Sequence, residues 1–362
     1  MLVKKELDCN VIEAARNRII DAFSKGRKVQ LCFSGGKDSI VLADIVYNLI
    51  LSGKINAKNL QVIFIDEEAM FDDVINIVKH WRQKFLEVGA EFLWFCLQVK
   101  HFNCLNSMTE EETFICWDEA KKDSWVRPMP PYAIKDDEFL IPYKDNYQSF
   151  LDRYCSAHKL ISMRGVRVSE SVQRLKYIAR MKTESISLPI YDMLDQDVWL
   201  YLLKYNIEYP DVYENLYRIG RNKKQLRISQ FFSVDTAQVL VSLGEMYPDL
   251  MERVEKREPN AYLCALYWDT EMFGRNTKKR QTLEEDSEEK DYKSLTLSLM
   301  AEQIKEGKNL KQIRYIKQIL LRHSNLIIDA DYKDFYKVLV AGDPKQRRLR
   351  AISTNISSRR NI

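Results

Sequence analysis

Six consecutive residues, Ser34-Gly35-Gly36-Lys37-Asp38-Ser39, have the types and order needed to hold a chain of phosphates. Adjacent glycines let the backbone come close to an anion, and a helix opening there turns its free N–H groups and positive dipole end toward it. Ser34 and Ser39 add hydroxyl donors, and Lys37 adds a mobile positive charge. Such a cradle needs a strand before it and a helix after it. Val29, Leu31 and Phe33 supply an alternating apolar run, and residues 40–50 an amphipathic one. The spacing is neither that of a Walker-type loop nor Gly-x-Gly-x-x-Gly. An ordinary strand-to-helix turn is the plainer reading of the same glycines.

A second anion-suited segment follows the run Leu160-Ile161-Ser162-Met163. It reads Arg164-Gly165-Val166-Arg167-Val168-Ser169-Glu170-Ser171, with Arg174 beyond it. The planar fork of Arg167 suits a phosphate, and Arg174 is expected about two turns on along the same helix face. A Glu170–Arg174 pair at i,i+4 is the structural alternative. Asp66 ends a second apolar run, Leu60-Gln61-Val62-Ile63-Phe64-Ile65. It is expected to meet a ribose hydroxyl or a magnesium ion, or else to be a solvated strand end favoured by a helix dipole.

The elements that must position these residues are legible as periodicity. Ile12, Ala15, Ile19 and Phe23 predict a helix, residues 29–33 a strand, 40–50 a helix and 60–65 a buried strand. Val74, Val78, Trp81, Phe85 and Val88 predict another helix, 92–97 a third strand and 160–163 a fourth. Strands separated by helices of this length imply an α/β fold, a parallel twisted sheet covered on both faces. Its ligands sit at the carboxyl ends of the strands. Residues 98–158 interrupt the pattern and predict a long insertion or lid, whose Trp117 and Trp125 either stack on a ligand or anchor the loop. Cys96, Cys104, Cys116 and Cys155 show no paired metal-site spacing, so a metal site there is not expected. Cys32 reads as a small buried hydrophobe.

The chain has 362 residues, 46% hydrophobic and 30% charged, with seven cysteines and no run of 18 apolar residues. Two regions are expected: a nucleotide-binding domain over 1–230 and a mostly helical accessory region over 231–362, with a charge-dense linker at 275–293. The odd cysteine count and the absence of an apolar N-terminal run predict a cytoplasmic protein without a membrane partner. Net charge is only +4, yet residues 341–362 alone sum to +5, so this tail is expected to bind DNA or RNA unless it is a frayed end.

The Ser-Gly-Gly-x-Asp-Ser loop resembles the pyrophosphate loop of the adenine nucleotide alpha hydrolase superfamily. The later Gly-x-Arg-x-x-Glu-Ser and Asp195-Gln196-Asp197-Val198-Trp199 segments resemble the phosphoadenosine phosphosulfate (PAPS) reductase branch. The resemblance spans roughly residues 10–220. It implies ATP, a companion Mg2+, and cleavage between the α and β phosphates to adenylate a substrate. It also implies that Ser34, Gly35, Gly36, Lys37, Asp38, Ser39, Asp66, Gly165, Arg167 and Arg174 form the nucleotide site, with Lys37, Asp38 and Arg167 closest to the chemistry. A reductase of this family carries a C-terminal Glu-Cys-Gly-x-His element. Here the only cysteine beyond Cys155 is Cys264, among apolar neighbours, so sulfonate reduction is not expected. The segment around Cys116-Trp117-Asp118 and Trp125 to Pro130 is similar to divergent members that accompany a ParB-like partner protein. The alternative is a nucleotide-sensing regulator without turnover.

Overall fold

The computed structural model describes residues 8–359 except 104–112, 171–173, 175–177, 179–183, 222–225, 229–230, 234–235, 237–238, 260, 262–290 and 344. Asn10 caps the first helix, α1 (Val11–Ser24), by accepting from the backbone N–H groups of Ile12 and Glu13. Its buried Ala14, Ala15, Ile19 and Ala22 lie on one stripe; of the residues the sequence predicts for that face, Ile12 and Phe23 are only half-buried. The strand β1 (Val29–Cys32) and the helix α2 (Lys37–Leu51) flank the glycine loop. They are followed by β2 (Leu60–Ile65), α3 (Asp72–Glu87) and β3 (Glu91–Phe95).

The insertion contributes a small antiparallel hairpin, β4 (Lys100–Phe102) with β5 (Thr113–Ile115). Then come α4 (Tyr147–Ala157), β6 (Ile161–Arg164) and the short β7 (Ile186–Ser187). The main sheet has the order β3-β2-β1-β6-β7, and every pairing in it is parallel. Val29 of β1 stands opposite Leu60 of β2 on one side and Ile161 of β6 on the other. The chain winds outward from β1 through β2 and β3, then returns to the other side of β1. That reversal makes the carboxyl ends of β1 and β6 the crevice where such sheets take ligands.

Beyond the sheet lie α5 (Asp195–Lys204), α6 (Val212–Arg218), α7 (Leu240–Gly244) and α8 (Pro248–Arg257). The chain divides into two compact units, Met1–Trp268 and Asp269–Ile362. The boundary therefore falls later than the 230/231 division expected from the sequence. The reason is physical: Phe231 packs on Phe71, and Arg253 and Arg257 of α8 pair with Asp72 and Glu68.

The second unit contains α9 (Tyr292–Lys305), α10 (Leu310–Arg322), α11 (Asp329–Ala341) and α12 (Arg347–Ser358). They close over Met300, Ile313, Ile316, Ile319, Phe335, Val338, Leu349 and Ile356. Most of the charge-dense stretch 275–293 lies outside the described residues. Among the described residues no helix is long and apolar enough to cross a membrane.

Candidate functional site

Phe33 continues the β1 ladder by donating its N–H to Ile63 O at 2.9 Å, and the chain then turns sharply. Gly35 makes that turn with φ of +73°, and a Cβ there would lie 2.9 Å from methyl carbons of both Val74 and Val78 on α3. Gly35 is thus required by the turn and by the close packing of loop on helix. Gly36 has an ordinary φ of −80° and is the N-cap of α2. Its missing Cβ faces the Tyr213 hydroxyl at 3.3 Å and Ser34 Oγ at 3.5 Å, so its role is to keep the inside of the loop open. Ser34 Oγ donates to Ser39 Oγ at 3.1 Å, and Ser39 Oγ donates to Gly36 O at 2.8 Å, which staples the loop to the first turn of α2.

Because β1 and β6 are neighbours, the loop after β6 meets this turn. A Cβ on Gly165 would stand 3.3 Å from the carbonyl carbon and oxygen of Asp38, a tight contact that glycine avoids as the two segments approach. Arg167 Nε lies 2.6 Å from Asp38 Oδ1. A second Arg167 nitrogen donates to Asp195 Oδ1 at 3.1 Å, and a third group of the fork reaches Ser169 Oγ at 3.3 Å. Lys37 Nζ sits 3.4 Å from the same Asp195 oxygen and donates to Leu226 O at 2.9 Å. The aromatic faces of Trp199 and Tyr213 border Lys37 Nζ at 5.9 and 5.4 Å from their ring centres. The Lys37 backbone N–H donates to the Tyr213 hydroxyl at 2.9 Å. Burial pushes the Tyr213 phenol well up, so it remains protonated.

Two buried cations and two partly exposed carboxylates therefore form one group. Oxygens of Asp195, Tyr213 and Leu226, all on the segment 195–226, take the Lys37 and Arg167 donors. Asp195, Tyr213, Trp199 and Leu226 were not picked out as site residues in the sequence. The only signal was that Asp195 and Trp199 belong to the third motif. Pro189 and Asp192, just ahead of it, anchor to α1 instead: Arg18 grips Asp192 bidentately at 2.7 Å per bond and donates to Pro189 O at 2.8 Å.

Two expectations need correction. Asp66 does not face a ribose or a metal. It is fully buried, receives Trp94 Nε1 at 2.8 Å and the Glu68 N–H at 3.0 Å, and pairs with Arg127. Arg167 lies in a loop before a 3-10 turn, Val168–Glu170, so it and Arg174 do not share a helix face. Arg174 is half-buried and acts electrostatically on Tyr147. Trp117 takes the second of its two expected roles and anchors the loop: it is buried, and its indole donates to Asp66 O at 2.7 Å.

The insertion is held down by a residue that the sequence gave no reason to select. Fully buried Glu68, with φ of +63°, accepts from Trp117 N at 2.7 Å, Val126 N at 3.3 Å and Arg257 Nε at 2.9 Å. Burial raises its pKa, and the Arg257 charge works against that rise.

The residues do not fit a magnesium ion held by the protein alone. Asp66 is sealed, Asp38 is paired with Arg167, and among the described residues no group of three His, Cys, Asp or Glu side chains could hold a metal. Cys96, Cys116 and Cys155 do not gather. Burial raises each thiol, that of Cys155 to about 12. Cys32 is half-exposed at the end of β1 rather than fully buried, and Cys104, Cys264 and Ser171 lie outside the described residues.

Residues 28–223, more than half of the chain, match the phosphoadenosine phosphosulfate reductase domain. The uncharacterized protein YbdN of Escherichia coli is 27% identical over 271 residues, covering 68% of this chain and 65% of its own length. The uncharacterized protein MJ0066 of Methanocaldococcus jannaschii is 27% identical over 213 residues, 56% of this chain and 37% of its own. The chain thus spans less than two thirds of either relative. Among solved structures, the U34-tRNA thiolase NcsA of Methanococcus maripaludis, with its [4Fe-4S] cluster, aligns at a TM-score of 0.31 and 14% identity, covering 70% of this chain and 79% of its own.

Proposed function

The chain belongs to the phosphoadenosine phosphosulfate reductase domain family, and from that premise we propose that it binds ATP on the 34–39 loop and adenylates a substrate. The observation that carries this reading is the meeting of Lys37 and Arg167 at the ends of adjacent strands, beside an open glycine turn. In the proposed reaction a nucleophilic oxygen of the acceptor attacks the α phosphorus. The bond to the α–β bridging oxygen breaks, and pyrophosphate leaves with the electron pair while the acceptor proton passes to solvent. Negative charge grows on the leaving oxygens, and fixed donors aimed there lower the barrier. Backbone N–H groups at the start of α2, the hydroxyls of Ser34 and Ser39, Lys37 and Arg167 are the donors available. Any magnesium would arrive on the nucleotide, since the protein carboxylates are otherwise engaged.

Sulfonate reduction is not proposed, because the family's cysteine element is missing from the sequence. A second reading, a nucleotide sensor without turnover, is favoured by one observation: the segment 195–226 already occupies the cationic donors, and ligand binding would have to move it. Pyrophosphate release from ATP, measured with purified protein and a panel of candidate acceptors, separates the two. Release that disappears in Lys37→Ala supports adenylation. ATP binding without release under every condition supports the sensor. Absence of ATP binding would defeat both.

A further inference from the structure

The sequence directs attention to residues 341–362 as a linear basic tail, but the folded second unit distributes that charge differently. Arg359 is spent: its two terminal nitrogens grip Asp331 at 2.6 and 2.9 Å, and it donates to Leu326 O at 2.9 Å. Asp343 caps α12 by accepting from the N–H groups of Arg347 and Leu349, both at 3.0 Å. The end of the chain is therefore a docked helix, with Leu349 and Ile356 in the core of the unit.

What this docking exposes is a second basic helix beside the first. Gln346, at the start of α12, donates to Lys311 O near the start of α10 at 3.4 Å. Ser357, at the end of α12, meets His323 at the end of α10 at 3.3 Å. The two helices thus run parallel, side by side. Both bury one stripe, Ile313, Ile316 and Ile319 on α10 and Leu349 and Ile356 on α12. Their other sides carry Lys311, Arg314, Lys317, Arg347, Arg348 and Arg350, all exposed. Neither helix contains an Asp or Glu. None of these six cations enters an ion pair among the described residues. Apart from buried Asp343, which caps α12, the described acids of the same unit sit on and next to α9 and α11, as do Glu302, Glu306, Asp329 and Asp334.

This arrangement is unfavourable for folding alone. Lys311, Arg347 and Arg348 occupy first turns, where the helix dipole disfavours positive charge. Exposed charges of one sign with no acids among them repel one another, and a polyanion would relieve that repulsion. We propose that the exposed sides of α10 and α12 bind the phosphate backbone of a nucleic acid. A flexible row of Lys and Arg without a fixed pocket neutralises phosphates and reads no sequence. The proposal is independent of the nucleotide site in the first unit.

The test is fluorescence-anisotropy titration of the full chain with a 20-base-pair DNA duplex and an RNA hairpin, across salt concentrations from about 50 to 200 mM. Four to five phosphate contacts give a slope of log affinity against log salt near −4, or roughly 250-fold weaker binding across that range. Lys311→Gln, Arg314→Gln, Arg347→Gln and Arg348→Gln combined should flatten the slope by about 3 to 4. The matched variant of α9 and α11, Lys293→Gln with Lys305→Gln, Lys333→Gln and Lys337→Gln, loses the same charge and should keep most of the slope. If the first variant proves unfolded by circular dichroism, its α10 and α12 halves made separately should each flatten the slope by about half as much. Three results overturn the proposal: no binding of either nucleic acid at low salt, equal flattening in both variants, or poly-glutamate binding as tight as either nucleic acid.

Discussion

Replacing Gly35 and Gly36 one at a time separates folding from ligand approach at adjacent positions. In Gly35→Ala a side chain must adopt φ of +73°, a left-handed conformation costing about 1–2 kcal/mol. The new Cβ also starts 2.9 Å from the methyls of Val74 and Val78, both fully buried on α3. Neither stiff β-branched side chain has space to turn into, so overpacking adds about 1–3 kcal/mol. A total of roughly 2–5 kcal/mol should lower the melting temperature by on the order of 5–15 °C.

Gly36→Ala meets no such barrier. Its φ is −80°, and the nearest atoms, the Tyr213 hydroxyl at 3.3 Å and Ser34 Oγ at 3.5 Å, are ends of side chains. The loss of a preferred N-cap residue costs about 1 kcal/mol, a shift of a few degrees. Its Cβ nevertheless fills the inner side of the turn, where a phosphate must approach the backbone. ATP affinity by calorimetry should drop at least about tenfold, a change of about 1.4 kcal/mol. Gly35→Ala melting at the wild-type temperature would refute the packing argument. Gly36→Ala binding ATP as the parent does would refute the loop as a phosphate cradle.

Other positions give distinct readouts. Glu68→Ala leaves the buried Arg257 with Glu258 as its remaining ion-pair partner and two backbone donors unmet, so chemical denaturation should show a loss of about 2–4 kcal/mol. Asp195→Asn removes the carboxylate that competes with phosphate for Lys37 and Arg167, so calorimetry should show ATP affinity rising roughly tenfold, the scale of one charge-assisted contact; a fall would mean that Asp195 orients the cations instead. Burial pushes the Asp145 carboxyl up, but donors from Ile141 N, Ser149 and Arg153 outweigh it, and the net pKa is lowered. Its contribution is therefore full above the unfolded value of about 3.9 and lost as pH falls through the lower folded value. The stability gap between wild type and Asp145→Asn, measured by urea denaturation, should close below about pH 4, and a gap that widens on acidification would contradict this sign.

The sequence was most readable where structure is local. Glycine spacing, the run 60–65 and the α3 stripe found β1, the loop, β2 and α3, because each depends on neighbours a few residues away. The companionship of Asp38 with Gly165 and Arg167 depends on β1 lying beside β6, which periodicity does not encode. Asp66 looked like a ligand for the same reason that any acid at a strand end does. What consumes it, Trp94 and Arg127, arrives from 28 and 61 residues along the chain. The division expected near residue 230 followed a change in sequence character, whereas the observed one follows Arg253 and Arg257 reaching back to α3 and Glu68. A window over the tail saw Arg347, Arg348 and Arg350 but not Lys311, Arg314 and Lys317, which only helix packing brings alongside.

Burial divides the acids around the crevice into two kinds with different consequences. Asp66 and Glu68 are wholly buried, and they are held by backbone, indole and guanidinium donors fixed elsewhere in the fold. Displacing Asp66 would strand the buried Arg127, and displacing Glu68 would leave two buried backbone donors unmet, so a ligand exchanges with neither at tolerable cost. The side chains of Asp38 and Asp195 are 20% and 34% exposed, and Arg167 bridges them. Under the proposed function, these two would release toward water as an incoming phosphate took over Lys37 and Arg167. The inner acids should therefore report on stability and the outer ones on affinity. A cation that pairs with an outer acid in the free protein is the one available to a ligand, and that criterion selects Lys37 and Arg167 over Arg127 and Arg257.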